Sequence, residues 1–269
     1  MKSASLAIGA MTAAWLRAAL GTAMAAPIWL ATGKNWPGRE VLKLHLLRGV
    51  VSTFMALSFF YALTKLPIAE AIAISFIAPL IALYLARLWL DEVIRRSAIF
   101  ASILGFAGTL VIVGGKIEQD RFAEGTALGL LAILVSALLY AVNFIIIRKQ
   151  SQLAGPAEIA TFHSGVATVI LGVAMPFVFT MPNSAVWIEL SVAAALTVAG
   201  AMAVARAYAR AETQTLVPLE YSGFLWAALF GWVFFREEVT MTTLLGTAII
   251  VAACLIAARR PSGPVQSAY

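Results

Sequence analysis

Short polar segments divide this chain into nine apolar stretches, at roughly 9–31, 46–63, 67–89, 96–114, 125–148, 158–180, 184–207, 213–235 and 240–258. None alternates polar and apolar residues as barrel strands do. Most are close to the ~20 residues that carry a helix across a bilayer. The pattern predicts an all-α integral membrane protein with nine transmembrane helices. Pro27, Pro79 and Pro176 fall inside the stretches and are expected to kink them.

A second pattern lies on top of the first. Arg17 and His163 are 146 positions apart, and so are Glu92 and Glu238. The offset aligns Trp15-Leu16-Arg17-Ala18-Ala19-Leu20-Gly21-Thr22 with Thr161-Phe162-His163-Ser164-Gly165-Val166-Ala167-Thr168. One membrane unit is written twice, a signature of many secondary transporters. The counterpart of 125–148 falls almost entirely before Met1. The reading is therefore an inverted repeat of five-helix units, with the first helix missing from the first unit. A start codon placed too late accounts for this more simply than a real deletion. The organisation expected is 1–116 for the first repeat, 125–260 for the second, and a cytoplasmic tail over 261–269.

Composition agrees: 62% of residues are apolar and 12% charged, where a soluble domain has about 45–50% and about 25%. The net charge of +6 is spread between the stretches rather than gathered in a patch, so no nucleic-acid partner is expected. Thirteen basic residues fall in one set of alternating connections and five in the other. The positive-inside rule then places the C-terminus in the cytoplasm and the N-terminus outside, as nine crossings require. A bacterial-type inner (plasma) membrane is the expected location. Cys254 lies inside an apolar stretch and, as the single cysteine, allows no disulfide within the chain. No phosphate-binding Gly-Lys-Ser/Thr loop, metal-ligand spacing or Gly-x-Ser-x-Gly elbow is present, so neither an ATPase nor a metal or other cofactor is expected.

Several motifs resemble the EamA domain of the drug/metabolite transporter superfamily. They are Pro67-Ile68-Ala69-Glu70-Ala71, Phe76-Ile77-Ala78-Pro79-Leu80 and Asp91-Glu92 in the first half. In the second they are Pro218-Leu219-Glu220-Tyr221-Ser222-Gly223, Trp226 to Trp232 and Glu237-Glu238. Leu44-His45-Leu46-Leu47-Arg48-Gly49 is similar too. The resemblance implies ten helices in inverted five-helix repeats around a central cavity. It implies carriage of a small polar metabolite of the amino acid, nucleoside, vitamin or cofactor class, with efflux ahead of uptake. The alternative is an uptake permease for a vitamin or cofactor such as riboflavin or S-adenosylmethionine. A non-transporting membrane protein and a membrane-embedded enzyme are readings of a different class.

A charge in the bilayer costs about 2.5–3.5 kcal/mol on insertion scales, so each intramembrane polar group needs a partner, water or a task. Arg17 suits a substrate carboxylate or phosphate, or snorkels to the outer interface. His163 could donate, accept or titrate, or bond a carbonyl on a neighbouring helix. Glu220 could carry a proton or take a substrate amine, or accept from amides exposed by Pro218. Glu220 and His163 are the proton-coupling candidates. Tyr140, Asn143 and Tyr221 complete the expected substrate site, with helix–helix bonding as the alternative. Glu70, Glu92 and Glu238 are expected to cap helices or pair with nearby arginines. Gly223, Ala227 and Gly231 read as a packing stripe, and Trp232 as an interface anchor.

Overall fold

The computed structural model describes residues 4, 7–32, 36–66, 71, 74–114, 126–223, 226, 229, 233 and 241–258. These residues are helical with no strand among them, as the apolar pattern predicts. Helix α1 spans Ala10–Leu30, α2 Arg39–Leu63, α3 Ala78–Trp89, α4 Arg96–Gly114 and α5 Thr126–Leu153. Helix α6 spans Pro156–Gly172, α7 Met175–Val178, α8 Ser184–Arg210, α9 Thr213–Leu216 and α10 Met241–Ala258. A 3-10 turn, Val217–Tyr221, follows α9. Eight of the nine apolar stretches thus contain a helix of 12 residues or more; the ninth, 213–235, holds α9 and the 3-10 turn, and part of it lies outside the described residues.

Local chemistry sets the ends. Gly9 precedes α1 at φ 81°, a conformation open to glycine and strained for other residues. Asp91 takes φ 53° just past α3, and the Glu92 amide donates back to the Ala86 carbonyl, closing the helix end. The Asn183 side chain accepts the Val186 amide at 2.9 Å and starts α8. Pro79 and Pro176 sit in the first turns of α3 and α7. They mark helix starts rather than kinks inside continuous helices, because a first-turn proline loses no hydrogen bond. Pro27 alone of the three lies within a helix.

Helices α2, α5 and α8 are each long and apolar enough to cross a bilayer. On α8, Leu190, Ala194 and Val198 are buried at 0%, 0% and 5% exposure, while Ile188, Val192 and Leu196 face outward at 67%, 55% and 69%. Both faces are apolar, as expected of a helix between a protein core and lipid.

The chain forms two compact units: residues 1–53 with 146–209, and 54–145 with 210–269. The boundary between them falls inside α2 and inside α5, so each unit takes helices from both repeats. Unit 1 is built on α1 packed antiparallel to α6, with Trp15 near Phe179 and Trp29 near Phe162. Gly21 brings α1 close to Ser164, and Gly49 on α2 brings its backbone against Val166. At the crossing, the Thr22 and Thr168 hydroxyls meet at 3.3 Å, and these residues are 146 apart. Each also reaches the carbonyl four residues back, Ala18 at 2.9 Å and Ser164 at 2.8 Å. The offset read from sequence is thus an approximate two-fold relation within unit 1, between antiparallel helices as an inverted repeat requires.

Unit 2 is built on α4 packed against α10, which the same offset relates. Gly108 lets α4 approach the Gly246 carbonyl and Ile250. A second cluster joins Ala62, Leu66, Ala71 and Ile133, and Ser136 on α5 donates to the Met55 carbonyl at 2.9 Å.

Candidate functional site

Within unit 1, α1 carries Arg17 and α6 carries His163. Arg17 is half-buried, and its Nη1 donates to the Thr197 hydroxyl on α8 at 3.2 Å. That hydroxyl in turn donates to the Ala193 carbonyl at 2.7 Å. Among the described residues no carboxylate pairs with Arg17. His163 lies within electrostatic range of Arg17 and Arg48, and its buried Nδ1 has no hydrogen-bond partner among the described residues. The structure therefore brings this repeat-related pair into one unit, where it offers donors and positive charge.

Within unit 2, Tyr140 on α5 donates to Glu220 Oε2 at 3.2 Å, and its ring leans on Phe144 at 4.5 Å. The 3-10 turn that follows Pro218 is what presents Glu220. Asn143 lies half-buried one turn beyond Tyr140. Tyr221 is fully buried, stacks on Phe76 at 5.4 Å and donates to the Phe76 carbonyl at 3.1 Å. Gly105 makes room for it, since a Cβ there would stand 2.4 Å from the ring. Tyr140 and Glu220 are thus directly joined, Asn143 is a neighbour on the same helix, and Tyr221 belongs to the packing beneath them.

Other expectations shift. Glu92 accepts from the amide and hydroxyl of Thr213, at 3.0 Å and 3.3 Å, so it caps α9 of the second repeat rather than α4, which follows it in sequence. A Cβ on Gly223 would meet no described atom within 4 Å, so no close helix approach is seen there. Glu70, Ala227, Gly231, Trp232 and Glu238 lie outside the described residues.

Unit 1 also buries a polar cluster that the sequence does not mark. Arg48 and Arg148 look like basic residues flanking spans, yet both are buried within helices α2 and α5. His45 Nε2 lies 2.9 Å from Glu158 Oε1, its ring stacks on Phe162 at 4.4 Å, and its Nδ1 contacts the Gln150 amide. Arg48 donates to Gln150 Oε1 at 3.2 Å, and Arg148 donates to the Tyr208 carbonyl. The one available signal was the i, i+3 spacing of His45 and Arg48, which puts both on one helix face.

Comparison with known proteins places this chain among transporters. A family model described as the EamA-like transporter family matches residues 1–114 and 127–259. A riboflavin transporter of Brucella anthropi is 27% identical over 232 residues, 84% of this chain and 79% of that protein. A pseudopaline exporter of Pseudomonas aeruginosa is 25% identical over 264 residues, 98% of this chain and 91% of the exporter. An S-adenosylmethionine uptake transporter of Rickettsia prowazekii is 28% identical over 225 residues, 81% of this chain and 74% of that protein. A solved crystal structure superposes with a TM-score of 0.79 at 19% identity, covering 94% of this chain and 93% of its own, which is a likeness of fold.

Proposed function

This chain belongs to the EamA-like transporter family, and from that premise we propose a secondary transporter that moves a small polar metabolite by alternating access. In unit 1 the candidate substrate contacts are Arg17 and His163; in unit 2 they are Tyr140, Asn143 and Glu220, and Tyr221 fixes the turn that presents Glu220. The protein lies in a bacterial-type inner membrane with its C-terminus in the cytoplasm, the orientation the positive-inside count supports. Efflux is the leading direction, supported by the exporter that matches 98% of the chain. Uptake is the second reading, supported by the relative named as an S-adenosylmethionine uptake transporter.

The observation that carries the proposal is Arg17. A half-buried guanidinium in an apolar bundle, bonded to one threonine hydroxyl and to no described carboxylate, keeps a desolvation cost that a structural residue would avoid. Its planar fork fits a carboxylate or phosphate on the substrate. Within unit 2, Glu220 offers a carboxyl for an amine or for a coupling proton.

The test is flux in proteoliposomes, with S-adenosylmethionine and riboflavin as the first probes, the first bearing a carboxylate and the second no acid group, and metabolites that bear a carboxylate or phosphate after them. Protein-dependent movement against empty liposomes supports the reading. Comparing the two directions of an imposed pH gradient assigns efflux or uptake. A full panel that moves no faster than through empty liposomes contradicts it.

A further inference from the structure

At one end of unit 1, α2 and α6 begin and α5 ends, and a hydrogen-bonded chain runs through all three: Arg48 to Gln150, Gln150 to His45, His45 to Glu158. The chemistry of its ends fixes the protons in its middle. Arginine only donates, so the Gln150 atom facing Arg48 is the carbonyl oxygen. The Gln150 amide NH₂ must then face His45 Nδ1. An NH₂ group donates, so Nδ1 accepts and carries no proton. The ring proton is therefore on Nε2, where it donates to Glu158. His45 is held as one neutral tautomer by its neighbours.

We propose that the His45–Glu158 pair is a proton-binding site, and that its protonation unlatches α5 from α2. A second proton on His45 would sit on Nδ1 and face the Gln150 NH₂, donor against donor. Gln150 could accept it only by turning over, which would set its NH₂ against the Arg48 guanidinium. In either orientation of Gln150 one hydrogen bond is lost, to His45 or to Arg48, and both tie the last turn of α5 to α2. The charges fit the same step. Arg48 and the Glu158 side chain at the first turn of α6 stand at opposite ends of the chain of bonds. Protonation adds one positive charge to a buried site.

The other charged and titratable groups nearby are few. Among the described residues they include Arg206 on α8, Tyr208 on α8, whose phenol acts electrostatically on Arg48, Arg148 on α5 bonded to the Tyr208 carbonyl, and His163 on α6, which Arg48 reaches electrostatically. A cavity of about 190 Å³, lined by Trp29, Thr32, Glu158 and Arg206 among others, gives the pair a route to water. At ~30 Å³ per water it has room for several. Phe162 stacks on the other face of the chain and is itself flanked by Trp29 and Trp36, so the ring cannot swing away. The proton site goes beyond the transporter reading; only its use in a transport cycle rests on it.

The chain has two histidines, so the site can be read without a substrate. Histidine-labelled protein, without a polyhistidine tag, is followed by nitrogen NMR in detergent micelles, and the His45 signals are assigned by their loss in His45→Gln. The result expected at neutral pH is a neutral imidazole with its proton on Nε2, which gains a second proton as the pH is lowered. Over the same range, amide exchange at the α5–α6 corner, residues 148–158, speeds by about tenfold, as losing one hydrogen bond would do. His45→Gln loses that pH response. Gln150→Glu supplies a carboxylate to both neighbours, so its corner responds at higher pH than wild type. An Nδ1–H tautomer or a charged ring near neutral pH overturns the proposal. So does a pH response retained in His45→Gln, or one unmoved in Gln150→Glu. Absent flux in proteoliposomes would sink the transporter reading and leave these results standing.

Discussion

The two units are built alike and loaded differently. Each is founded on a pair of helices related by the 146-residue offset, α1 with α6 and α4 with α10, brought close by glycines at the contact. Unit 1 then buries or half-buries Arg17, His45, Arg48, Arg148 and Glu158. The polar site described in unit 2 is a single carboxyl, Glu220, held by Tyr140 above an aromatic stack. Duplication supplied the scaffold, and the chemistry lies where the copies diverged. The offset pairs Arg17 with His163, His45 with Ser191, Arg48 with Ala194, Glu158 with Thr12 and Glu220 with Ile74. None of these charged groups is repeated as itself.

If that contrast is right, packing changes and charge changes should separate. The largest effect is expected in unit 2's plug. Tyr221→Ala empties the space between Phe76 and Gly105 and should lower stability by about 3–5 kcal/mol, read as a fall in the thermal midpoint of the purified protein. Tyr221→Phe loses one hydrogen bond and should cost only about 1 kcal/mol. Equal losses for the two variants would mean that the hydroxyl, not the ring, holds the turn. In unit 1, Gly49→Ala forces a Cβ to 2.3 Å from Val166. Overpacking of that kind should cost about 1–3 kcal/mol, again in the thermal midpoint. A midpoint at or above wild type would show that the α2–α6 contact is looser than described.

Charge changes should do the reverse. Glu220→Gln is expected to leave the thermal midpoint within about 1 kcal/mol of wild type, since an amide can still accept from Tyr140. It should abolish accumulation driven by a pH gradient while substrate exchange persists. It should also leave the pH response of the α5–α6 corner untouched, because that response belongs to unit 1. The smallest effect is expected at the crossing. Thr22→Val or Thr168→Val removes one interhelical hydrogen bond, worth about 0.6 kcal/mol in membrane proteins. The double variant should lose little more than either single, because the two hydroxyls share that bond; fully additive losses would argue that each threonine acts only through its own carbonyl.

Much of the fold was legible because its signals are local or periodic. The apolar stretches marked the spans, and the offset that aligned Arg17 with His163 returned as contact between Thr22 and Thr168. The division into units was not legible. It depends on which helices approach closely, and the residues that allow it, Gly21, Gly49, Gly105 and Gly108, look like ordinary membrane glycines. Helix ends were blurred for a related reason: α2 begins at Arg39, ahead of the apolar stretch, because Arg39, Glu40 and Lys43 are helix formers at a polar end. Of the candidate site, the Tyr140–Glu220 contact joins two residues the sequence had singled out. The cluster around His45 was hidden because Arg48 and Arg148 carry the same signature as residues that flank a span, and burial does not show in a sequence. Tyr221 could not be distinguished from Glu220 beside it until the 3-10 turn sent one side chain into the core.

The account rests most directly on Arg17 as a recognition group rather than a brace. The measurement is the concentration dependence of flux for Arg17→Ala beside wild type, using whichever probe the wild type carries, with thermal midpoints taken on the same preparations. Losing a charged partner should raise the half-saturating concentration or lower the rate by roughly 10- to 1000-fold, equivalent to about 1.4–4 kcal/mol, with the midpoint near that of wild type. Unchanged flux and affinity, or a loss of flux that only follows a collapse in stability, would contradict it.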